Sequence, residues 1–249
     1  MTQKDLKYYS SLLKKKYRES EKKFLVEGSK SVEEGINSNF HCEKIFATLE
    51  YLNNLKSKKR FKNNDLEILN KTELLKLADT VSPQGILGVF KIPYPKKIEN
   101  IKTNIIVFIE NISDPGNLGT IIRVCDWFGL DTILLSSNTV DVYNPKVIRS
   151  TMGSIFHIDV YEDINPDVLD QLKSIGYKIV CADVEGESIY QFKIPDKFVI
   201  AFSNETAGPS EKLLHKSEFK VTIPRKGKAE SLNVAAAASI ILSELSKLN

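Results

Sequence analysis

Side chains able to hold an anion or orient a hydroxyl gather in three short stretches of this chain. The first is Asp114-Pro115-Gly116-Asn117-Leu118-Gly119-Thr120-Ile121-Ile122-Arg123 and the second Ser203-Asn204-Glu205-Thr206-Ala207-Gly208. The third, Ile223-Pro224-Arg225-Lys226-Gly227, leads into Ser231-Leu232-Asn233-Val234-Ala235. Each lies where an apolar, strand-like run ends, and two of them open a helix. In α/β proteins, strand ends and helix N-termini project free backbone donors into one crevice, and ligands bind there. Arg123 adds a planar fork suited to phosphate if it faces that crevice, and is a snorkelling surface residue if it does not. The other polar residues have structural uses as well. Asn117 and Ser231 stand where helix caps are favoured, Glu205 where a surface acid would be unremarkable, and the alanines 235–238 where two helices pack closely.

The elements that must position these stretches follow from periodicity. Residues 105–109, Ile-Ile-Val-Phe-Ile, form the near-continuous apolar run of a strand buried on both faces, and residues 118–128 a helix after it. A strand over 132–135 and a turn-rich stretch through Asn144-Pro145 come next, then a strand-like segment over 156–160. Asn165 and Pro166 open a helix that ends before Gly176. Strands over 178–182 and 198–202, a short helix over 211–216, a strand over 219–223 and a helix over 232–248 complete this part. Buried strands alternating with helices predict a largely parallel sheet covered on both faces. Ahead of it, residues 5–18 read as one helix, followed by apolar 24–26, a helix from Gly28 to about Ile36, strands 44–48 and 66–69, a helix over 71–77 and a strand over 86–89. Ile92-Pro93-Tyr94-Pro95-Lys96-Lys97 breaks the pattern and reads as a linker. The boundaries are therefore a small α/β domain over 1–93, a linker over 94–103 and a larger α/β domain over 104–249.

Composition bounds the rest. A chain of 249 residues with 42% hydrophobic and 27% charged residues buries a real core and is ordinary for a soluble protein. No apolar run approaches the ~20 residues of a membrane span, and the N-terminus lacks the apolar core of a signal peptide. Three scattered cysteines, Cys42, Cys125 and Cys181, suit reduced thiols in the cytoplasm, and no Cys/His cluster suggests a metal. The histidines, His41, His157 and His215, lie far apart without partners at catalytic spacing. The net charge of +3 is uneven. Residues 1–30 carry nine Lys/Arg against four Asp/Glu, and Lys56-Ser57-Lys58-Lys59-Arg60-Phe61-Lys62 forms a second basic run. These are either solvated faces or a phosphate-backbone footprint.

The three stretches, in this order and spacing, resemble the signature motifs of the SpoU (TrmH-like) branch of the SPOUT RNA methyltransferases. Residues 104–249 match throughout, including Asn144-Pro145-Lys146 and Arg149-Ser150. Residues 16–28, Lys-Tyr-Arg…Lys-Phe-Leu-Val-Glu-Gly, and Ser82-Pro83-Gln84-Gly85 look like that family's small RNA-binding domain. The resemblance implies 2′-O-methylation of a ribose in structured RNA with S-adenosyl-L-methionine as donor. Large-subunit rRNA is the expected partner; a tRNA substrate, or an RNA-binding protein without catalysis, is the alternative. It also implies a deep trefoil knot in the C-terminal α/β fold, which periodicity does not hint at, and a homodimer with the site at the subunit interface. By motif position, Arg123 is the central catalytic residue, supported by Asn117, Glu205, Ser231 and Asn233. The cofactor falls to Ser203, Gly208, Ile223 and Leu232, with Pro224 and Ser231 shaping the loop. Ser203 stands where the family usually has Gly, and Arg225 and Lys226 replace more usual apolar and small residues.

Overall fold

The computed structural model describes residues 1–54, 61 and 64–248, so the basic run at 56–62 lies, Phe61 apart, outside the described residues. Two compact units emerge: Met1–Tyr94 with Asp141–His157, and Pro95–Val140 with Ile158–Asn249.

The first unit opens with two helices where the sequence predicts one. Helix α1 (Gln3–Ser11) is capped by Thr2, and α2 (Lys15–Glu21) restarts after an extended Lys14. The break serves packing. Leu12 is wholly buried between the helices, and its carbonyl accepts a hydrogen bond from Arg18 Nη1 at 2.9 Å. The same guanidinium holds Asp141, so Arg18, 2% exposed, is no part of a surface footprint and instead ties residues 141–157 into this unit. Breaking a buried pair of this kind strands a charge, which makes it a demanding lock. Strands β1 (Lys23–Glu27), β2 (Cys42–Thr48), β3 (Leu66–Leu69) and β4 (Ile86–Lys91) form a sheet in the order β1-β4-β2-β3. Helix α3 (Ser29–Asn37) follows β1, α4 (Leu49–Asn54) follows β2, and α5 (Lys71–Leu77) carries a complete capping box from Asn70 and Glu73. Leu6, Leu12, Leu25, Phe46, Leu74 and Leu87 fill one core cluster of the unit. Phe24, Phe40, Phe90, Tyr143 and Phe156 form an aromatic group, the last two supplied by the 141–157 segment. Within that segment the expected turns contain a helix, α7 (Pro145–Thr151), started by the Asn144 cap with Pro145 in its first turn.

The second unit is a six-stranded, wholly parallel sheet of β5 (Ile105–Glu110), β6 (Thr132–Ser136), β7 (Asp159–Ile164), β8 (Lys178–Ser188), β9 (Phe198–Ser203) and β10 (Phe219–Thr222). Their order is β10-β8-β9-β5-β6-β7. Helices α6 (Pro115–Trp127), α8 (Val168–Ser174), α9 (Glu211–Lys216) and α10 (Val234–Leu245) cover it. Leu169, Leu172 and Leu213 of α8 and α9 pack on Ile106, Phe108, Leu134 and Ile179, while α6 packs against α10. The chain builds outward from β5 to β7, then returns to lay β9 on β5's other edge. That reversal makes the carboxyl ends of β5 and β9 the natural ligand crevice of such a sheet.

Several boundaries differ from expectation for local reasons. Strand β7 starts three residues late because Phe156 closes a 3₁₀ turn. Helix α8 starts at Val168 because the Asn165 side chain accepts from Asp167 N–H and forms a tight turn ahead of it. Strand β8 runs on to Ser188 rather than stopping near 182, with its pairing to β10 jumping from Cys181 to Glu187. At that jump Gly186 lies against β10 so closely that a Cβ would stand 2.8 Å from both the carbonyl carbon and the oxygen of Lys220. Backbone cannot yield as a side chain does. Gly186→Ala is therefore expected to lower stability by about 1–3 kcal/mol, read as a drop in thermal melting temperature; an unchanged melt would show that β10 shifts freely.

Candidate active site

Strand β5 ends at Glu110, and the chain turns through Asn111 with φ 57° before Asp114 caps α6 by accepting from Asn117 N–H at 2.8 Å. With Asp114 as cap and Pro115 first in the helix, Asn117 is inside the first turn, and its side chain is free of capping duty. It reaches across to the turn after β9. Asn117 Nδ2 donates to Glu205 Oε1 at 2.9 Å, and Asn233 Nδ2 donates to Asn117 Oδ1 at 2.9 Å and to the same Glu205 oxygen at 3.2 Å. Val234 N–H, at the start of α10, donates to Glu205 Oε1 at 3.0 Å. Asn233 is also the cap of α10, its Oδ1 accepting from Ala235 and Ala236 N–H. That double acceptance fixes its amide orientation, because the flipped amide would set two donors against two donors. Ser231, the expected cap, is instead two residues upstream of it and exposed.

One carboxylate oxygen thus gathers α6, the 203–208 turn and the start of α10, three segments separated by up to 116 residues. A carboxylate at the α10 N-terminus is also favoured by the helix dipole. The 203–208 turn is built from its own side: Asn204 Oδ1 accepts from Thr206 and Ala207 N–H, and Gly208 closes it in the left-handed region at φ 66°. Ser203 pairs in register with Glu110 at the end of the sheet. Arg123 stands apart. It shares the exposed face of α6 with Thr120 and Trp127, the latter 82% exposed, and its guanidinium makes no hydrogen bond or ion pair among the described residues. The structure therefore brings Asn117, Glu205 and Asn233 together and leaves Arg123 and Ser231 outside that cluster. Burial pushes the Cys181 thiol up to about 12 and raises that of Cys125 as well, so neither supplies a thiolate near neutral pH.

Residues 104–243, more than half of the chain, match the model of the SpoU rRNA Methylase family. The chain belongs to the SpoU rRNA methylase family. In this SpoU protein, residues 3–88 also match the MRM3-like substrate binding domain. Among curated relatives, the 23S rRNA (guanosine(2553)-2′-O)-methyltransferase RlmP of Bacillus subtilis is 35% identical over 248 residues, covering 96% of this chain and 95% of its own. A putative RNA methyltransferase of the TrmH family from Porphyromonas gingivalis superposes with a TM-score of 0.88 at 27% identity, covering 100% of this chain and 99% of its own. An AdoMet-bound rRNA methyltransferase from Sinorhizobium meliloti superposes with a TM-score of 0.87 at 25% identity, covering 100% and 96%.

Sequence reasoning passed over three residues that build this SpoU site. Glu110 is 2% exposed and accepts from Ser210 N–H at 2.9 Å and Ser210 Oγ at 2.6 Å, anchoring the far side of the 203–208 turn to β5. Asn111 donates its N–H to Ser136 Oγ and accepts that hydroxyl on Oδ1. Asn204 Nδ2 donates to the Asn111 carbonyl at 3.5 Å. The signal was available for Glu110: an acid closing a strand buried on both faces needs donors, and Ser210 stands just ahead of the helix expected over 211–216.

Proposed function

We propose that this SpoU protein transfers a methyl group from S-adenosyl-L-methionine to a ribose 2′-hydroxyl of large-subunit rRNA. The observation that carries this reading is the single Asn117–Glu205–Asn233 cluster at the carboxyl ends of adjacent strands, in a chain that aligns along nearly its whole length with a 23S rRNA methyltransferase.

The donor set fits the cofactor. Residues 223–232 make no backbone-to-backbone hydrogen bond among the described residues, Leu232 is 47% exposed, and Ile223 is half-buried. Apart from the Ala229 carbonyl, which accepts from Arg225 Nη1 at 3.0 Å, this strip of open amides and carbonyls, with Ile223 and Leu232 at its ends, suits a ligand with an aromatic base at one end and amino and carboxylate groups at the other. Ser203, Gly208, Ile223, Pro224 and Leu232 would hold it. When bound, it supplies an electrophilic methyl group. The chain's own task is to present the ribose hydroxyl in line and to stabilise the oxygen as it loses its proton. Arg123 cannot be the base, since guanidinium stays protonated in proteins. In this reading Arg123 grips the adjacent phosphate and orients the hydroxyl, Asn117, Glu205 and Asn233 set the spacing of the turns, Ser231 shapes the third turn, and the proton leaves to phosphate or water.

The same reading takes residues 1–93 as the RNA-binding domain, 94–103 as linker and 104–249 as the catalytic domain. It has the C-terminal segment threading a loop to form a deep trefoil knot that includes the 203–208 and 223–233 turns, and the chain acting as a cytoplasmic homodimer. The exposed Arg123–Trp127 face of α6 supports a partner there, because a Trp side chain has a large apolar surface to bury on association and Trp is enriched at interfaces. Among the described residues no helix is long and apolar enough to cross a membrane. Mapping 2′-O-methyl sites in RNA from a strain lacking this protein tests the substrate. One missing large-subunit rRNA mark is the expected result; an unchanged rRNA map with a missing tRNA mark would overturn it.

A further inference from the structure

Three stretches that carry the family resemblance outside the methyl-transfer motifs meet within the first unit. Glu27 and Gly28 end β1, Ser82 and Gln84 precede β4, and Arg149 and Ser150 lie on α7; with Lys30, Ser31, Thr80 and Met152 they line a cavity of about 360 Å³. That is the size of a small-ligand pocket, and all its lining side chains but Met152 are polar.

The cavity is equipped for an anion. It opens on the N-terminus of α3, a nine-residue helix that Gly28 enters at φ 99°. Ser29 N–H is taken by Gln84 Oε1 at 3.0 Å, while Lys30 and Ser31 N–H make no hydrogen bond among the described residues. Such donors and the helix dipole favour negative charge. A second observation is independent of the helix. Ser31 is 5% exposed, lines the cavity, and its hydroxyl has no partner among the described residues. Among the described residues no sealed-off side-chain oxygen or nitrogen lacks a partner, so that hydroxyl is reached from outside, through the cavity that Ser31 lines. A hydroxyl on a residue this buried needs a partner, and this one's must come from a ligand or solvent. Lys30 has no ion pair among the described residues, and Arg149 binds Asp79 through Nη1 alone, so both add positive charge. Glu27 is the one carboxylate in the lining. It is engaged by Asp79 N–H at 3.2 Å and by the Thr80 hydroxyl, and it retains lone pairs for a further donor. Phosphate oxygens need the donors; a ribose hydroxyl or base amine needs the acceptor.

We propose that this cavity holds one nucleotide of the substrate RNA, its phosphate on Ser31, Lys30 and the α3 N-terminus and a hydroxyl or amine on Glu27. The inference rests on the reading of the chain as an RNA methyltransferase. Two variants test it. Ser31→Asp sits at the third helical position, where a carboxylate favours the helix but repels phosphate; Lys30→Ala removes a charge from an exposed residue. The probes are unmethylated large-subunit rRNA, inorganic phosphate and S-adenosyl-L-methionine, each titrated on the full chain, the RNA across a salt series. Ser31→Asp is expected to weaken RNA binding at least tenfold and Lys30→Ala less. Each should flatten the dependence of log affinity on log salt by about 0.7–0.9, the loss of one phosphate contact, with cofactor affinity unchanged. If wild-type protein binds and methylates the RNA and both variants match it, the cavity proposal falls alone. If phosphate binds the wild type but neither variant alters RNA affinity, the RNA assignment falls. If wild-type protein neither binds nor methylates RNA, the reading of the function falls and takes the cavity proposal with it.

Discussion

Arg123→Ala is expected to slow methyl transfer by about 10³-fold, the scale of losing one group that stabilises developing charge, while cofactor affinity and melting temperature stay unchanged. The stability half follows from exposure: the guanidinium makes no hydrogen bond or ion pair among the described residues, so its removal stays within about 0.5 kcal/mol. The kinetic half follows from what Arg123 offers, a permanently charged fork able to hold two phosphate oxygens at once. Lysine keeps the charge and loses the fork, so Arg123→Lys should fall between, about 10–100-fold below wild type, in single-turnover assays. Turnover near wild type for Arg123→Lys would defeat the bidentate role. Because Arg123 lies outside the Asn117–Glu205–Asn233 cluster of its own chain, a mixed dimer adds a second readout. Arg123→Ala and Glu205→Ala protomers, each strongly impaired alone, should recover activity together if Arg123 serves the partner's site, since one of the two mixed sites is then intact. No recovery would assign Arg123 to its own protomer's site.

The same contrast between Arg123 and Glu205 explains what could be read from the sequence. The apolar run that becomes β5 and the short helices over 71–77 and 211–216 are local patterns, and each forms as its residues dictate, whereas α6 starts at Pro115, three residues ahead of the expected 118, because Asp114 rather than Asn117 caps it. Strand order is not local. Nothing in residues 105–117 or 198–205 states that β9 lies on β5's free edge, yet that adjacency puts Asn117 within 2.9 Å of a carboxylate 88 residues away. Choosing between Ser231 and Asn233 as the α10 cap was equally closed to local reasoning, because both are good caps two residues apart. The contact of Asn233 with Asn117 and Glu205 decides where the helix winds. Arg18 misled for the same reason: in sequence it sits among lysines, and only the position of Asp141 and the Leu12 carbonyl turns it inward. Three of the residues named by the family motifs, Asn117, Glu205 and Asn233, meet in the fold because such motifs record the long-range geometry that periodicity lacks.

Glu205→Ala is expected to lower turnover by more than 10²-fold and to weaken cofactor binding, with a small cost in stability. Its Oε1 is the common acceptor for Asn117 Nδ2, Asn233 Nδ2 and Val234 N–H, and alanine strands all three donors. In a sealed interior each would cost about 1–3 kcal/mol. Here Glu205 is only half-buried and Asn233 is exposed, so water replaces the lost acceptor and the net loss is about 1 kcal/mol, or a melting shift of about 2–4 °C in a chain of this size. Water does not restore the geometry. The carboxylate is what ties the 203–208 turn to α6 and to the start of α10, and a loosened tether of about 1 Å is enough to cost 10²-fold at a reacting centre. Glu205→Gln separates tether from charge: the amide oxygen still accepts, while the favourable charge at the α10 N-terminus, about 0.3–1 kcal/mol, is gone. It should lose about tenfold in turnover and bind cofactor nearly as wild type. A double-mutant cycle with Asn117→Ala then reads the coupling directly. If Asn117→Ala and Glu205→Ala act through one cluster, their combined loss falls well short of the product of the two. Full multiplication would mean that Glu205 acts on the substrate by itself, and that the Asn117 contact merely accompanies it.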